Sequence, residues 1–102
     1  VADLTVLNGP PSAPTSLTVG TTAVELKVGA NRLSERRVVI VQPINYDIYW
    51  CYRDTDNSTA APTTANAFKI FKGQWMQIEC SDLLAIWLVA AQDTDVRIQE
   101  VG

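Results

Sequence analysis

The chain has 102 residues, a net charge of −3 and a pI near 4.7, with 47% hydrophobic and 19% charged residues. That length holds one core and not two, and the composition is globular, far from the polar, charge-rich signature of disorder. An acidic chain lacks the clustered Lys and Arg that phosphate contacts need, so nucleic acid is not an expected partner, and no apolar run approaches the ~18–20 residues of a membrane helix, so neither is a bilayer.

Residues 1–16 read as an extended N-terminal arm. Asn8-Gly9-Pro10-Pro11-Ser12-Ala13-Pro14 holds three of the five prolines, and proline removes backbone donors and fixes φ. Leu4-Thr5-Val6-Leu7 ahead of it has the composition of a short strand. No basic region followed by an apolar stretch opens the chain, so no signal peptide is expected.

Residues 17–102 read as one all-β domain, an antiparallel β-sandwich or jelly-roll-like fold of about eight strands. Leu17-Thr18-Val19 leads into a Gly20-Thr21-Thr22 turn, after which Val24, Leu26 and Val28 alternate with Glu25 and Lys27. Period two places one face inward and one in water. Residues 31–36 have room for one helical turn. The basic cluster Arg32, Arg36 and Arg37, with Glu35 inside it, reads as a solvated strand start.

Val38-Val39-Ile40-Val41 is β-branched throughout and predicts a central strand that Pro43 ends. Asp47-Ile48-Tyr49-Trp50-Cys51-Tyr52 resumes close enough to pair with it as a hairpin. A long polar loop occupies 53–67, and Phe68 to Phe71 is a short strand ended by Lys72-Gly73. Met76, Ile78 and Cys80 then alternate with Gln77 and Glu79. Ser81-Asp82 turns into Ala85 to Ala91, a second buried strand, and Val96 and Ile98 alternate with Arg97 and Gln99 in the last. The expected core is Val24, Leu26, Val28, Ile40, Ile48, Trp50, Ile78, Ile86, Leu88, Val96 and Ile98, with Trp50 and Trp87 both inside.

The chemistry available is sparse. The chain has no His, which excludes Ser-His and Cys-His nucleophile systems, and its two cysteines, Cys51 and Cys80, fit neither the usual zinc spacings nor CxxC. They read as two buried thiols, with one disulfide as the alternative. Asp47, Asp54, Asp56, Glu79 and Asp82 lie near turns, where turn chemistry explains them. Asp54-Thr55-Asp56-Asn57-Ser58 resembles half a calcium loop but lacks the glycine and closing Glu, so no metal is expected, nor any cofactor. Trp75 falls on the same strand face as Gln77 and Glu79, opposite Met76, Ile78 and Cys80. Three roles suit it: a cap on the core edge, an anchor in a protein interface, or a platform for a sugar ring.

Several stretches together resemble small β-sandwich virion proteins of tailed bacteriophages, of the head decoration, head-fibre or tail-associated type. They are Gly20-Thr21-Thr22-Ala23-Val24-Glu25-Leu26-Lys27-Val28-Gly29-Ala30, Arg36-Arg37-Val38-Val39-Ile40, Asp47-Ile48-Tyr49-Trp50, Lys72-Gly73-Gln74-Trp75, Leu83 to Ala91, and Asp95-Val96-Arg97-Ile98. The similarity spans roughly residues 17–101. Cys51 departs from it, standing where a small residue such as glycine is expected after Tyr-Trp. The resemblance implies a sandwich, no catalysis, no cofactor, and symmetric multi-copy attachment to other virion proteins.

The resulting expectation is a capsid decoration or cement protein. It would assemble in the bacterial host cytoplasm, act as a homo-oligomer, and bind the major capsid protein or other virion proteins. The expected contact residues are Leu4, Val6 and Leu7 of the arm, together with Trp75. A tail, collar or fibre component is the alternative. A carbohydrate-binding module using Trp75 and the 53–67 loop is the third reading.

Overall fold

The computed structural model describes residues 9–102. Eight strands form, and no helix forms among the described residues: β1 (Thr15–Val19), β2 (Val24–Glu25), β3 (Val38–Pro43), β4 (Ile48–Asp54), β5 (Phe68–Ile70), β6 (Met76–Glu79), β7 (Leu84–Ala90) and β8 (Thr94–Val101). They make two four-stranded antiparallel sheets, one ordered β1-β8-β3-β6 and the other β2-β7-β4-β5. The ladders β1·β8, β2·β7, β3·β6 and β4·β5 are those of one long hairpin, and rolling it up adds β3·β8 and β4·β7. This is the jelly-roll winding of an all-β sandwich.

The core lies between the inner faces. Val19, Val39, Val41, Ile78, Val96 and Ile98 come from the first sheet; Leu26, Ile48, Trp50, Ile70, Ile86, Leu88 and Ala90 come from the second region and sheet. Val24 and Val28 pack on its margin. Ile40 is not in the core. It pairs with Gln77 and Gln99 on the outer face, and its neighbours Val39 and Val41 point inward. A strand apolar at every position carries no parity signal, so the face it buries is set by its partners.

The expected hairpin of β3 and β4 does not form, because the two strands lie in different sheets. The crossing is held by Thr94, which is buried at the start of β8. Its hydroxyl accepts hydrogen bonds from the backbone N–H groups of Asn45 and Tyr46, each at 3.1 Å, and Ile44 N–H donates to Asp95 O at 2.9 Å. Pro43 is tolerated as the last residue of β3 because β6 opposite has not yet begun; its carbonyl accepts from Gly73 N–H at 2.7 Å.

Residues 31–36 form a turn and not a helix. Arg36 N–H reaches Leu33 O at 3.3 Å, and Glu35 takes φ 59°, the left-handed region. Nor is the whole basic cluster solvated. Arg36 is 1% exposed and paired with Glu100, also 1% exposed, at 2.8 Å. Arg36 further donates to Ser81 O, Leu84 O and Leu26 O, and Glu100 accepts from the backbone N–H groups of Val28 and Leu33. One buried pair thus ties β8 to two connecting segments, β2–β3 and β6–β7, and to the start of β7. Arg32 is partly buried as well, bonded to Glu25 at 2.7 Å. Glu100 captures the Val28 amide, which explains why β2 ends at Glu25 and does not run to Val28 as its alternation predicts.

Trp87 is another correction. It stands on the outer face of its sheet, half-buried, and its indole N–H donates to Asn57 Oδ1 at 2.9 Å. Arg53 lies 4.5 Å over its ring and donates to Asn57 O and Thr59 O. The first half of the polar 53–67 loop is therefore folded over this tryptophan.

Candidate functional site: the β5–β6 edge

The outer strands β5 and β6 border the same side of the sandwich, and most of the exposed large apolar side chains among the described residues collect there, while Ile44, Tyr46 and Leu83 stand on other connections. Trp50, on the inner face of β4, meets Tyr52 edge-on at 5.1 Å and Phe68 at 5.5 Å between ring centroids. This aromatic ladder runs from the core to the surface: Trp50 is buried, Tyr52 is exposed, and Phe68 is 67% exposed. Phe71 at 54%, Trp75 at 63% and the partly open Met76 continue the apolar surface. Single exposed hydrophobic residues are ordinary; five grouped on β5, β6, their connection and the neighbouring Tyr52 of β4 make this edge the candidate interaction surface.

The connection between the two strands is built firmly. Gly73 has φ +81°, a conformation that strains any side chain, and a Cβ there would meet nothing within 4 Å, so the backbone angle and not space demands glycine. Gly73 N–H bonds Pro43 O, Gln74 N–H bonds Phe71 O at 3.1 Å, and Gln42 Nε2 donates to Gly73 O at 3.0 Å. Asp47 accepts from Lys72 N–H at 2.8 Å and pairs with Lys69 at 3.3 Å. The Lys72 amide, and after it Lys69, hold the Asp47 carboxyl below the usual carboxylate range. Lys69 in turn lies 4.9 Å over the Phe71 ring. Trp75 therefore projects from a fixed turn, beside a shallow cleft of about 380 Å³ lined by Lys69, Ile70, Gln74 and Met76.

Of the residues expected from sequence to make contacts, Trp75 is at this edge, outside the core. Leu4, Val6 and Leu7 lie outside the described residues. The described end of the arm follows the sheet: Ser12 N–H donates to Glu100 O, Glu100 N–H donates to the Ser12 hydroxyl, and Ser12 O accepts from the Gln99 side chain. The cleft beside Trp75 takes none of its lining from the 53–67 loop. Phe68, Phe71 and Tyr52 were not among the expected contacts. Phe68 faces inward by strand parity and is exposed only because β5 is the last strand of its sheet, a fact of topology that alternation does not carry.

Both cysteines are free thiols, Cys80 buried and Cys51 half-buried. Burial pushes the Cys80 thiol up to about 11, so it is neutral at ordinary pH and a poor nucleophile. Asp54 and Asp56 accept hydrogen bonds from Ser58 within their own loop, and no group of three or more His, Cys, Asp or Glu among the described residues is placed to hold a metal ion.

Comparison with protein-family models and with curated proteins returns no match to this chain.

Proposed function

We propose that this chain is a structural assembly module that acts by docking and not by catalysis, in the role of a tailed-phage virion component, with capsid decoration as its place. The observation that carries the reading is the exposed aromatic edge of Tyr52, Phe68, Phe71, Trp75 and Met76 on a rigid frame. Aromatic anchors on a preorganised surface are how protein interfaces gain most of their binding energy. The fold adds support by analogy, since jelly rolls serve as capsid domains, and the resemblance in the sequence points the same way. A decoration protein would stabilise the shell by binding only its assembled state.

Cryo-electron microscopy of particles from the source tests this. Density at regular sites on the outer lattice is the expected result, with the β5–β6 edge at a subunit contact. Density confined to the tail or a vertex would move the chain to a collar or fibre role, and absence from all particles would remove the virion reading. Trp75→Ala is expected to lower particle occupancy at least ~10-fold, as loss of a central anchor does. Removing residues 1–8, which spares the Ser12 contacts, tests the contribution of Leu4, Val6 and Leu7; full occupancy by that variant would exclude them from docking.

A second reading has its own observation. Trp75 offers a flat apolar face beside the Gln74 amide and the Lys69 ammonium, a combination that suits a sugar ring, and jelly rolls also serve as lectin domains. Titration with a glycan panel, read by tryptophan fluorescence, separates the two: quenching by a defined sugar favours the lectin role.

A further inference from the structure

We infer that the chain seated on this edge is a second copy of the same protein, joined by antiparallel pairing of β6 with β6 about a two-fold axis at Gln77. The inference rests on the docking edge proposed above and names its occupant. It starts from which backbone groups of β6 are already used. In an antiparallel ladder, alternate residues turn their N–H and C=O toward a given neighbour. Cys80 N–H bonds Arg37 O at 3.0 Å, and at the other end of β3 the Pro43 carbonyl accepts from Gly73 on the same side. Ile44 N–H meanwhile bonds Asp95 O, so the even-numbered residues of β3 face β8 and the odd-numbered ones face β6. In the observed register Val39 lies opposite Ile78 and Val41 opposite Met76. Ile78 and Met76 therefore spend their backbone groups on β3, and Gln77 and Glu79 turn theirs away from it. The Tyr52 hydroxyl agrees, since it reaches the Glu79 carbonyl from the opposite sheet at 2.7 Å.

Among the described residues, Gln77 thus sits at the middle of a row of outward-turned donors and acceptors, with Trp75 and Glu79 on either side, and in that row the Glu79 carbonyl keeps its second lone pair beside the Tyr52 bond. An edge of this kind is a template for another strand. Self-pairing centred on Gln77 uses the whole of 75–79: Gln77 meets Gln77 of the second copy, and Trp75 meets its Glu79. On the inner face Met76 falls opposite Ile78 of the second copy and next to its Tyr52, so the exposed thioether and phenol ring cover each other. Charge selects the antiparallel sense. Lys69 and Lys72 precede the strand, Glu79 ends it and Asp82 follows it. Antiparallel pairing sets the basic end of one copy against the acidic end of the other; parallel pairing would oppose Glu79 to itself, which is unfavourable. The product is a two-fold, self-complementary contact and a continuous eight-stranded sheet, two copies of the four-stranded one.

The test is light scattering of the purified chain between about 10 μM and about 1 mM, the range in which a small interface associates. The mass is expected to rise from 11.2 kDa toward twice that value. Gln77→Pro removes the N–H at the two-fold axis, which β3 does not use, and should hold the mass at 11.2 kDa with an unchanged circular dichroism spectrum. Should that variant fail to fold, Gln77→Lys opposes two ammonium groups across the axis and should weaken the dimer several-fold at low salt, with recovery at high salt. A monomeric wild-type chain at the highest concentration overturns the inference, as does a dimer indifferent to both substitutions. The docking reading fails separately. A monomer whose Trp75→Ala variant still loses its place on particles keeps the edge and removes the second copy; a Gln77-dependent dimer whose Trp75→Ala variant stays on particles does the reverse.

Discussion

Arg36 and Glu100 are each 1% exposed, whereas Trp75 and Phe68 are 63% and 67% exposed. Charge is inside and aromatic surface is outside, the inverse of the usual partition, and the two regions reach that inversion by different routes. The ion pair is tolerated because every polar atom in it has a partner: four acceptors for Arg36 and three donors for Glu100, all supplied by this chain. The aromatic edge has no such closure among the described residues. The comparison separates a device that completes the fold from a surface that the fold leaves for something else, and substitutions on each side should divide the same way.

The largest effect is expected at the ion pair. Arg36→Ala leaves a buried carboxylate uncompensated, which costs about 3–5 kcal/mol, a large part of the ~5–15 kcal/mol that holds a domain of this size. Urea unfolding of the variant measures it. Replacing both partners by apolar residues, often harmless elsewhere, should not restore stability here. Glu100 also accepts from the Val28 and Leu33 amides and Arg36 also serves three carbonyls, so the double replacement orphans backbone groups. Full recovery in the double variant would show that those secondary bonds matter little.

Thr94 comes next. Thr94→Val keeps the shape and removes the acceptor that two amides of the β3–β4 crossing share, at a cost of about 1–3 kcal/mol. A shift in the urea midpoint with an unchanged slope is the expected signature. Tyr52→Phe is smaller, about 0.5–1.5 kcal/mol, since it deletes one hydrogen bond to Glu79 O at an exposed position. Burial, and then the neighbouring Cys80 and Glu79, hold the Tyr52 hydroxyl above its ordinary value, so it remains a donor across the neutral range and this loss should not vary with pH there.

How far these regions were legible in the sequence follows the same division. Period-two alternation, continuous apolar runs and turn residues together place all eight strands, and the alternation of Trp75 with Met76 and Ile78 puts that indole outside. The division into sheets was not legible, because a four-residue connection from Pro43 to Ile48 suits a hairpin and a crossing equally, and the deciding hydroxyl, Thr94, lies about fifty residues on. Glu100 carries a signal in the sequence: it continues the inward phase of Val96 and Ile98, and an inward carboxylate requires a cation. Which of Arg32, Arg36 and Arg37 supplies it depends on the turn at Glu35, which composition does not encode. The outer-face burial of Trp87 needed the folded path of the 53–59 loop, and the exposure of Phe68 needed the strand order.

Acid should act on the open edge and its surroundings through Asp47. Its folded pKa is depressed from 3.8, by the Lys72 amide first, so its contribution is present above that value and is lost as pH falls through the lower folded one. Asp56, bonded to Ser58, and Asp95, bonded to Ser16 and Arg97, shift the same way and add to the same slope. Stability should therefore decline as pH drops below about 4, and Asp47→Asn should flatten part of that decline. A variant with the wild-type acid profile would mean that the turn carrying Trp75 does not depend on this carboxylate.

The smallest change in stability is expected at Trp75. Its ring is outside the core and its turn is held by Gly73, Pro43 and Asp47, so Trp75→Ala should alter the unfolding free energy by no more than about 0.5 kcal/mol. Association should respond in the opposite way, with self-association and particle occupancy both reduced while the urea curve overlays the wild type. The comparison is sharpest in this variant, because a side chain of that size kept at the surface without benefit to the fold is explained by a contact and by little else. A loss of several kcal/mol would instead make Trp75 a lid on the Ile70 and Met76 side of the core, and the edge would become part of the fold it borders.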